Sequence, residues 1–288
     1  MKKPYLYAFV AISVWSTTAT VSKLLLNSFT TMQLLSVSAT VAAICLLVVN
    51  VLTGKLKLFR EYRPVDFLIT AGVGLLGTFL YNMFLVLGID KLRASEAMII
   101  NYLWPMMTVV AGCILLKERM TLRKLLAVAL SFAGVVIVTS NGNLSTVVGS
   151  NLTGTVYCVL AAVSYGLFVA LNKRLRYDAT VSMMLYYMET AVIATVCVLI
   201  SGNLPSLTGI QSLGLVWVGL GDYAVAYVCW ALAMKSGHTA KIANLAYITP
   251  FASLVVAHFV LGDPITVWSL GGLTVIVAGI FLQLRDSK

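Results

Sequence analysis

Two carboxylates of this chain sit where a carboxylate is expensive. Asp222 is the twelfth residue of an apolar run beginning at Gln211, and Glu189 is the tenth of one beginning at Thr180. At ~1.5 Å per residue, runs of this length cross a hydrocarbon core of ~30 Å. Both acids therefore fall near the midplane of a bilayer, where an ionised side chain costs at least ~2.5–3.5 kcal/mol. Such a group is protonated, paired or turned toward a wet cavity. Three roles are open to it: carrying a proton, recognising a substrate ammonium, or making a structural hydrogen bond to a neighbouring helix.

The second group that invites chemistry is Asn101-Tyr102-Leu103-Trp104-Pro105, inside an apolar run from Ser95 to Leu116. Pro105 has no N–H to donate, so the carbonyl of Asn101 loses its helical partner. In lipid such a carbonyl is tolerated only where it faces protein or a water-filled cavity. At 100° per residue, Asn101, Trp104, Pro105 and Thr108 share one face. A packing kink explains the proline alone, since proline is common in membrane helices. A second copy, Asn244-Leu245-Ala246-Tyr247-Ile248-Thr249-Pro250, argues for more. Tyr102 and Tyr247, like Pro105 and Pro250, are 145 residues apart.

Catalytic chemistry has little to stand on. The two histidines, His238 and His258, lie at predicted helix ends, and no Cys/His or Asp/His grouping has metal-ligand spacing. The five cysteines (Cys45, Cys113, Cys158, Cys197 and Cys229) all sit inside apolar runs, as small core residues do. No glycine-rich phosphate loop follows a strand, and pairs such as Gly72-Val73-Gly74 read as helix-packing surfaces. An enzyme, a cofactor and a metal are not expected.

Composition fixes the elements that must carry these residues. The 288-residue chain is 60% hydrophobic and 10% charged, with a mean hydropathy of +0.96, far from the ~25% charged residues of a soluble domain. A formal charge of +10 would suggest nucleic acid in a soluble protein. Here the basic residues are scattered between apolar runs, which points to lipid head groups and away from nucleic acid. The start, Met-Lys-Lys-Pro, leads into a full-length apolar run without a small-residue cleavage site and reads as a signal anchor.

The reading is an all-α integral membrane protein of ten transmembrane helices: 5–26, 31–52, 65–88, 95–116, 121–140, 152–172, 180–201, 211–233, 239–261 and 265–284. With the N-terminus in the cytoplasm, seventeen of the 20 Lys+Arg residues fall on the inner side, leaving Lys23, Lys91 and Arg93 outside. Both termini are then cytoplasmic. Residues 1–145 and 146–288 read as a tandem duplication, in which Glu118 matches Asp263 and Gly134 matches Gly279. Nearer the start of each half the offset is 150, so that Trp15 meets Tyr165 and Lys23 meets Lys173. Five helices per repeat is odd, so the repeats are inverted about a pseudo-two-fold axis in the membrane plane. That architecture suits alternating access around a central site.

Two five-helix repeats, each with a late proline helix and an acid in the following turn (Leu115-Leu116-Lys117-Glu118-Arg119 and Leu261-Gly262-Asp263-Pro264), resemble the EamA family of the drug/metabolite transporter superfamily. The resemblance spans essentially the whole chain. Val14-Trp15-Ser16-Thr17, Asn101 to Pro105 and Asn172-Lys173 are most similar to the bacterial aromatic amino-acid exporters. It implies a bacterial cytoplasmic (inner) membrane protein, monomer or homodimer. Its central cavity would be lined by the first, third, fourth, sixth, eighth and ninth helices, with the fifth and tenth as outer supports. Helical faces agree: Tyr165, Phe168 and Asn172 share one; Tyr223, Tyr227 and Trp230 another; Gly74, Gly77 and Tyr81 a third, with Asn82 beside it. An aromatic stripe is also how packing and interfacial belts look, but Trp104 and Tyr223 lie mid-span, where an indole or phenol needs a partner.

The expected substrate site comprises Trp15, Tyr81, Asn82, Asn101, Tyr102, Trp104, Tyr165, Phe168, Asn172, Tyr223, Tyr227, Trp230, Asn244 and Tyr247, with Asp222 and Glu189 as proton-coupling groups and Pro105 and Pro250 as helix breaks. Glu96 and Lys241, also 145 apart, read as gate residues or as solvated helix ends. The expected function is export of small organic metabolites, above all aromatic or bulky apolar amino acids. The alternative is proton-coupled export of cationic drugs or toxic organic cations, held by the aromatic rings and Asp222.

Overall fold

The computed structural model describes residues 3–115, 117, 119–142, 152–175, 177–207, 209–234, 242 and 245–284; the side chains of 283 and 284 are not described. Among the described residues all regular structure is helical. The helices are α1 (Lys3–Leu25), α2 (Thr31–Leu52), α3 (Pro64–Lys91), α4 (Ala94–Leu115), α5 (Leu122–Ser140), α6 (Leu152–Asn172), α7 (Ala179–Ser201), α8 (Gln211–Met234), α9 (Ile248–Leu261) and α10 (Val267–Leu284). The first eight are long and apolar enough to cross a membrane, and α9 and α10 are shorter apolar helices.

Helix ends follow local chemistry. At the start of α2, Thr30 Oγ1 accepts from the Gln33 N–H at 3.3 Å while Gln33 Oε1 accepts from the Thr30 N–H at 2.8 Å, a reciprocal capping box. Asp178 caps α7 by accepting from the N–H groups of Thr180 and Val181. Lys55 Nζ lies 2.8 Å from the same carboxylate. Burial alone would raise the Asp178 pKa, but the bonds from Lys55, Thr180 and Val181 prevail and hold it at about 2. A short 3-10 helix, Lys55–Glu61, follows α2 in the stretch left between the second and third spans.

The most extensive packing pairs correspond under exchange of the first five helices with the last five. α1 packs on α8 and α9, as α6 packs on α3 and α4; α2 packs on α8, as α7 packs on α3. Three pairs map onto themselves: α2 with α7, α4 with α9, and α5 with α10. Side chains repeat the relation. A Cβ at Gly134 would stand 2.7 Å from Gly272 O and 2.6 Å from Ile276 Cγ1, and one at Gly279 2.8 Å from Ala127 O and 2.7 Å from Ser131 Oγ. At a spacing of 145, Gly134 pairs with Gly279, Ala127 with Gly272 and Ser131 with Ile276, so the two contacts are the same contact seen from either half. Only glycine lets α5 and α10 approach this closely.

Two spans differ from the uniform α-helices expected. α3 becomes π-helical over Leu75–Leu80, and α8 over Trp217–Ala226. Adding 145 to 75–80 gives 220–225, inside the second segment. Each widened turn loosens i→i−4 pairing, and neighbours serve the carbonyls around it: Ser164 Oγ donates to Leu76 O at 2.8 Å and Ser38 Oγ to Leu215 O at 3.0 Å.

The bundle ends differ. At one, Ser95 N and Oγ donate to Asp263 Oδ2 at 3.1 and 2.9 Å, tying α4 to the turn after α9. There also Lys23 Nζ donates to the carbonyls of Ile89, Asp90 and Leu92 at 2.7 to 2.9 Å, closing the C-terminus of α3. Glu96 is neither a solvated end nor free: it is 5% exposed and held by the side chain and N–H of Arg93. Lys241 and Glu118 lie outside the described residues. The opposite end carries the Lys55–Asp178 pair and the Tyr177 hydroxyl donating to Asp66 Oδ1 at 2.8 Å.

Candidate functional site

The break in α4 is where the proline places it. Helix runs to Asn101, Tyr102 and Leu103 form a turn, and helix resumes at Trp104. α9 repeats this, with Ala246 and Tyr247 in a turn before Ile248. Around the two breaks and the two π-helical segments lies a cavity of about 360 Å³.

Twelve of the fourteen residues expected at a substrate site line it. Tyr81, Asn82, Asn101, Tyr102, Trp104, Tyr165 and Phe168 come from the first half and α6; Trp15 from α1; and Tyr223, Tyr227, Trp230 and Tyr247 from α8 and the α9 break. Asp222 lines it as well. The rings form connected walls. Tyr165 packs against Tyr81 at 4.6 Å between centroids, meets Trp104 edge-on at 5.2 Å and touches Phe168 at 5.5 Å. Trp15 and Trp230 pair at 5.4 Å.

Two expected residues lie elsewhere. Asn172 is not on the cavity; its Oδ1 accepts from the Tyr186 hydroxyl at 2.9 Å, because Tyr186 of α7 reaches across to the end of α6. Glu189 points from α7 at α3, where its Oε2 would stand 2.5 Å from a Cβ on Gly74, and that oxygen has no partner among the described residues. Asn244 lies outside the described residues. Pro105 and Pro250 stand behind the turns they cause and do not line the cavity.

The cavity also takes residues the sequence did not single out. α7 supplies Met183 and Tyr187, although the resemblance left that helix off the lining, and Tyr187 stacks on Tyr223 at 4.9 Å and 17°. Mid-span position, the argument applied to Tyr223, would have found Tyr187 too. Thr18, Thr78 and Thr249 add hydroxyls, and Gly77 leaves room for the Phe168 ring.

The polar groups are few. Asn101 Nδ2 donates to the Tyr81 hydroxyl at 3.2 Å, and its Oδ1 is buried without a partner among the described residues. Asp222 is 9% exposed with Thr18 beside its carboxylate. The Tyr102 hydroxyl donates to Ala246 O, the carbonyl that Pro250 cannot serve. Arg, Lys and His are absent from the lining among the described residues. Met183, Val169 and Met234 place one wall toward the Lys55–Asp178 end, while at the other end Ser95 and Asp263 tie α4 to the turn after α9. This geometry suits enclosing one small ligand with a flat apolar body and hydrogen-bond donors at its polar end. A second depression of about 580 Å³, open between loops at the Lys23 end and lined by Asp90, Gln33 and Asn203 among others, contains none of the expected residues.

Comparison with known proteins gives the setting. The model of the EamA-like transporter family matches residues 2–140 and again 152–285. An uncharacterized transporter, YyaM, of Bacillus subtilis (strain 168) is 24% identical over 247 residues, covering 83% of this chain and 79% of its own. An uncharacterized transporter of Clostridium kluyveri is 23% identical over 300 residues, covering 100% and 95%. The aromatic amino acid exporter YddG of Ancylobacter novellus is 24% identical over 208 residues, covering 71% of each chain. A solved crystal structure superposes with a TM-score of 0.66 over 97% of this chain and 96% of its own at 22% identity, which shows a shared fold.

Proposed function

Because the chain belongs to the EamA-like transporter family, and is therefore a multi-pass membrane transporter rather than an enzyme, we propose that it exports small organic metabolites, above all aromatic or bulky apolar amino acids, by alternating access. In this reading ten helices span the bacterial cytoplasmic membrane as two inverted repeats, both termini are cytoplasmic, and the cavity faces inward. The reciprocal α5–α10 glycine contacts, the matched π-helical segments and the separate family match in each half support the repeats. The bias of Lys and Arg supports the orientation.

The observation that carries the substrate class is the aromatic cavity with a single orphaned amide oxygen. About 360 Å³ lies at the lower end of the ~300–1,000 Å³ of small-molecule sites, which fits one metabolite. The Tyr81–Tyr165–Trp104 wall takes the ring, and Asn101 Oδ1, which empty burial leaves ~1–3 kcal/mol short of satisfaction, takes an N–H from the ligand's amino group. The aromatic specificity named for the Ancylobacter novellus relative points the same way.

Asp222 keeps a second reading in play, export of organic cations. A carboxylate among aromatic rings serves an ammonium as well as a proton. Proteoliposomes separate the cases. Wild-type protein accumulates labelled aromatic amino acids under a pH gradient, and Asp222→Asn retains ligand binding but loses gradient-driven accumulation if the acid couples protons. If it holds a substrate cation, the same variant loses binding, most for permanently charged ligands. Wild-type vesicles that move neither class refute both readings.

A further inference from the structure

The two helix breaks are equivalent in sequence but not in hydrogen bonding. Pro105 and Pro250 each leave the carbonyl four residues earlier without its helical N–H, at Asn101 and at Ala246. Tyr102 and Tyr247 stand one residue after each. The Tyr102 hydroxyl crosses between the halves and donates to Ala246 O. A two-fold relation asks for the mate of this bond, from the Tyr247 hydroxyl to Asn101 O. Among the described residues that bond is not made, and Tyr247 packs its ring edge-on against Phe281 of α10, 5.4 Å between centroids. One bond of a matched pair is formed, at the breaks that line the cavity, in a structure where Ser95 and Asp263 tie α4 to the turn after α9.

We propose that Tyr102 and Tyr247 are paired positioning residues of the transport cycle: Tyr102 holds Ala246 O in the state closed at the Asp263 end, and Tyr247 holds Asn101 O in the state closed at the other. The inference rests on the inverted-repeat, alternating-access reading above. Exchanging the conformations of two inverted halves turns a cavity facing one way into one facing the other. It must also exchange every contact that is present on one side of the axis and absent on its mate. Each proline removes the i+4 donor. Ala246 O still accepts the Thr249 N–H at 3.0 Å, but its second lone pair is left for a phenol. Each phenol therefore has a site to bind in one state and to leave in the other. A closure that uses one bond at a time keeps the two states close in energy, as a switch requires. A ligand then shifts the balance by the difference of its affinities for the two states.

Hydrogen–deuterium exchange of the full chain in nanodiscs tests this at both ends of the bundle, using peptides covering residues 92–98 and 166–172. Tyr102→Phe removes one hydrogen bond from the state closed at the Asp263 end. The ratio of states moves about two- to tenfold, the equivalent of one net hydrogen bond, so exchange rises at 92–98 and falls at 166–172. Tyr247→Phe moves both peptides the opposite way, and the double variant returns toward wild type. A purely structural role for either phenol raises exchange locally in its own variant and gives no opposed response. Equal-signed shifts in the two single variants, or a Tyr247→Phe protein indistinguishable from wild type, overturn the proposal. A wild-type protein whose two ends do not respond in opposite senses to a transported ligand instead removes the alternating-access reading itself, and the switch with it.

Discussion

Gly77→Ala puts the cavity's construction to the test. A methyl built on Gly77 falls on the ring of Phe168. That ring is 2% exposed and is held on both sides, by Tyr165 at 5.5 Å and by Tyr186 edge-on at 5.6 Å between centroids. It has one direction of escape, into the 360 Å³ cavity that Gly77 and Phe168 both line. Overpacking of this kind costs about 1–3 kcal/mol where it cannot relax. In the empty protein the phenyl tilts into open space and stability falls by less than that. A ligand pushes the ring back, so the strain reappears on binding and weakens affinity by roughly 5- to 150-fold, at ~1.4 kcal/mol per factor of ten. Quenching of Trp15, Trp104 and Trp230, all on the lining, reports binding, and thermal unfolding in detergent reports stability. Phe168→Leu in the same chain shortens the obstructing side chain and recovers most of the lost affinity, a coupling that a double-mutant cycle measures. Wild-type affinity in Gly77→Ala, or a loss that Phe168→Leu does not relieve, refutes this account of the cavity wall.

Two further expectations are direct. Asn101→Leu removes the orphaned Oδ1 while nearly keeping volume, so the protein unfolds at the same or a higher temperature while ligand binding weakens at least tenfold; equal losses of stability and binding would make Asn101 a packing residue. Asp178, held at about 2 against an ordinary 3.8, gives stability that is fully present above about pH 4 and disappears as pH falls through about 2. Asp178→Asn flattens that part of an unfolding-versus-pH curve, and an unchanged curve means the Lys55 pair and the α7 cap contribute nothing.

Much of this was legible because the bilayer simplifies the code. Apolar length alone set the spans, and the ends of α2, α6 and α7 fall within one residue of the sequence reading. The proline breaks were equally plain, since a missing N–H acts locally whatever surrounds it. What stayed hidden depended on distant neighbours. Asn172 has the right face and depth, but the Tyr186 hydroxyl from another helix claims its oxygen. Tyr187 was passed over for a reason that concerned its helix rather than the residue.

The π-helical turns were illegible for a deeper reason, and they matter most to the site. An extra residue in a helical turn leaves no mark on composition or on mean hydropathy; it only rotates everything after it by ~100° relative to a regular helix. Of the face drawn on α8, Tyr223 lies inside the widened segment and Tyr227 and Trp230 beyond it, yet all three line the cavity. Asp222, within the widened segment, occupies the position that Gly77 holds in α3, at a spacing of 145. The two halves thus present the same backbone irregularity to one cavity and decorate it differently, an acid on one side and an open space for a phenyl ring on the other. In the proposed alternating-access reading, this shared backbone geometry is what would let the halves exchange roles. The unlike side chains place a carboxyl on one side of the cavity and room for the Phe168 ring on the other, so its two walls offer a ligand different contacts.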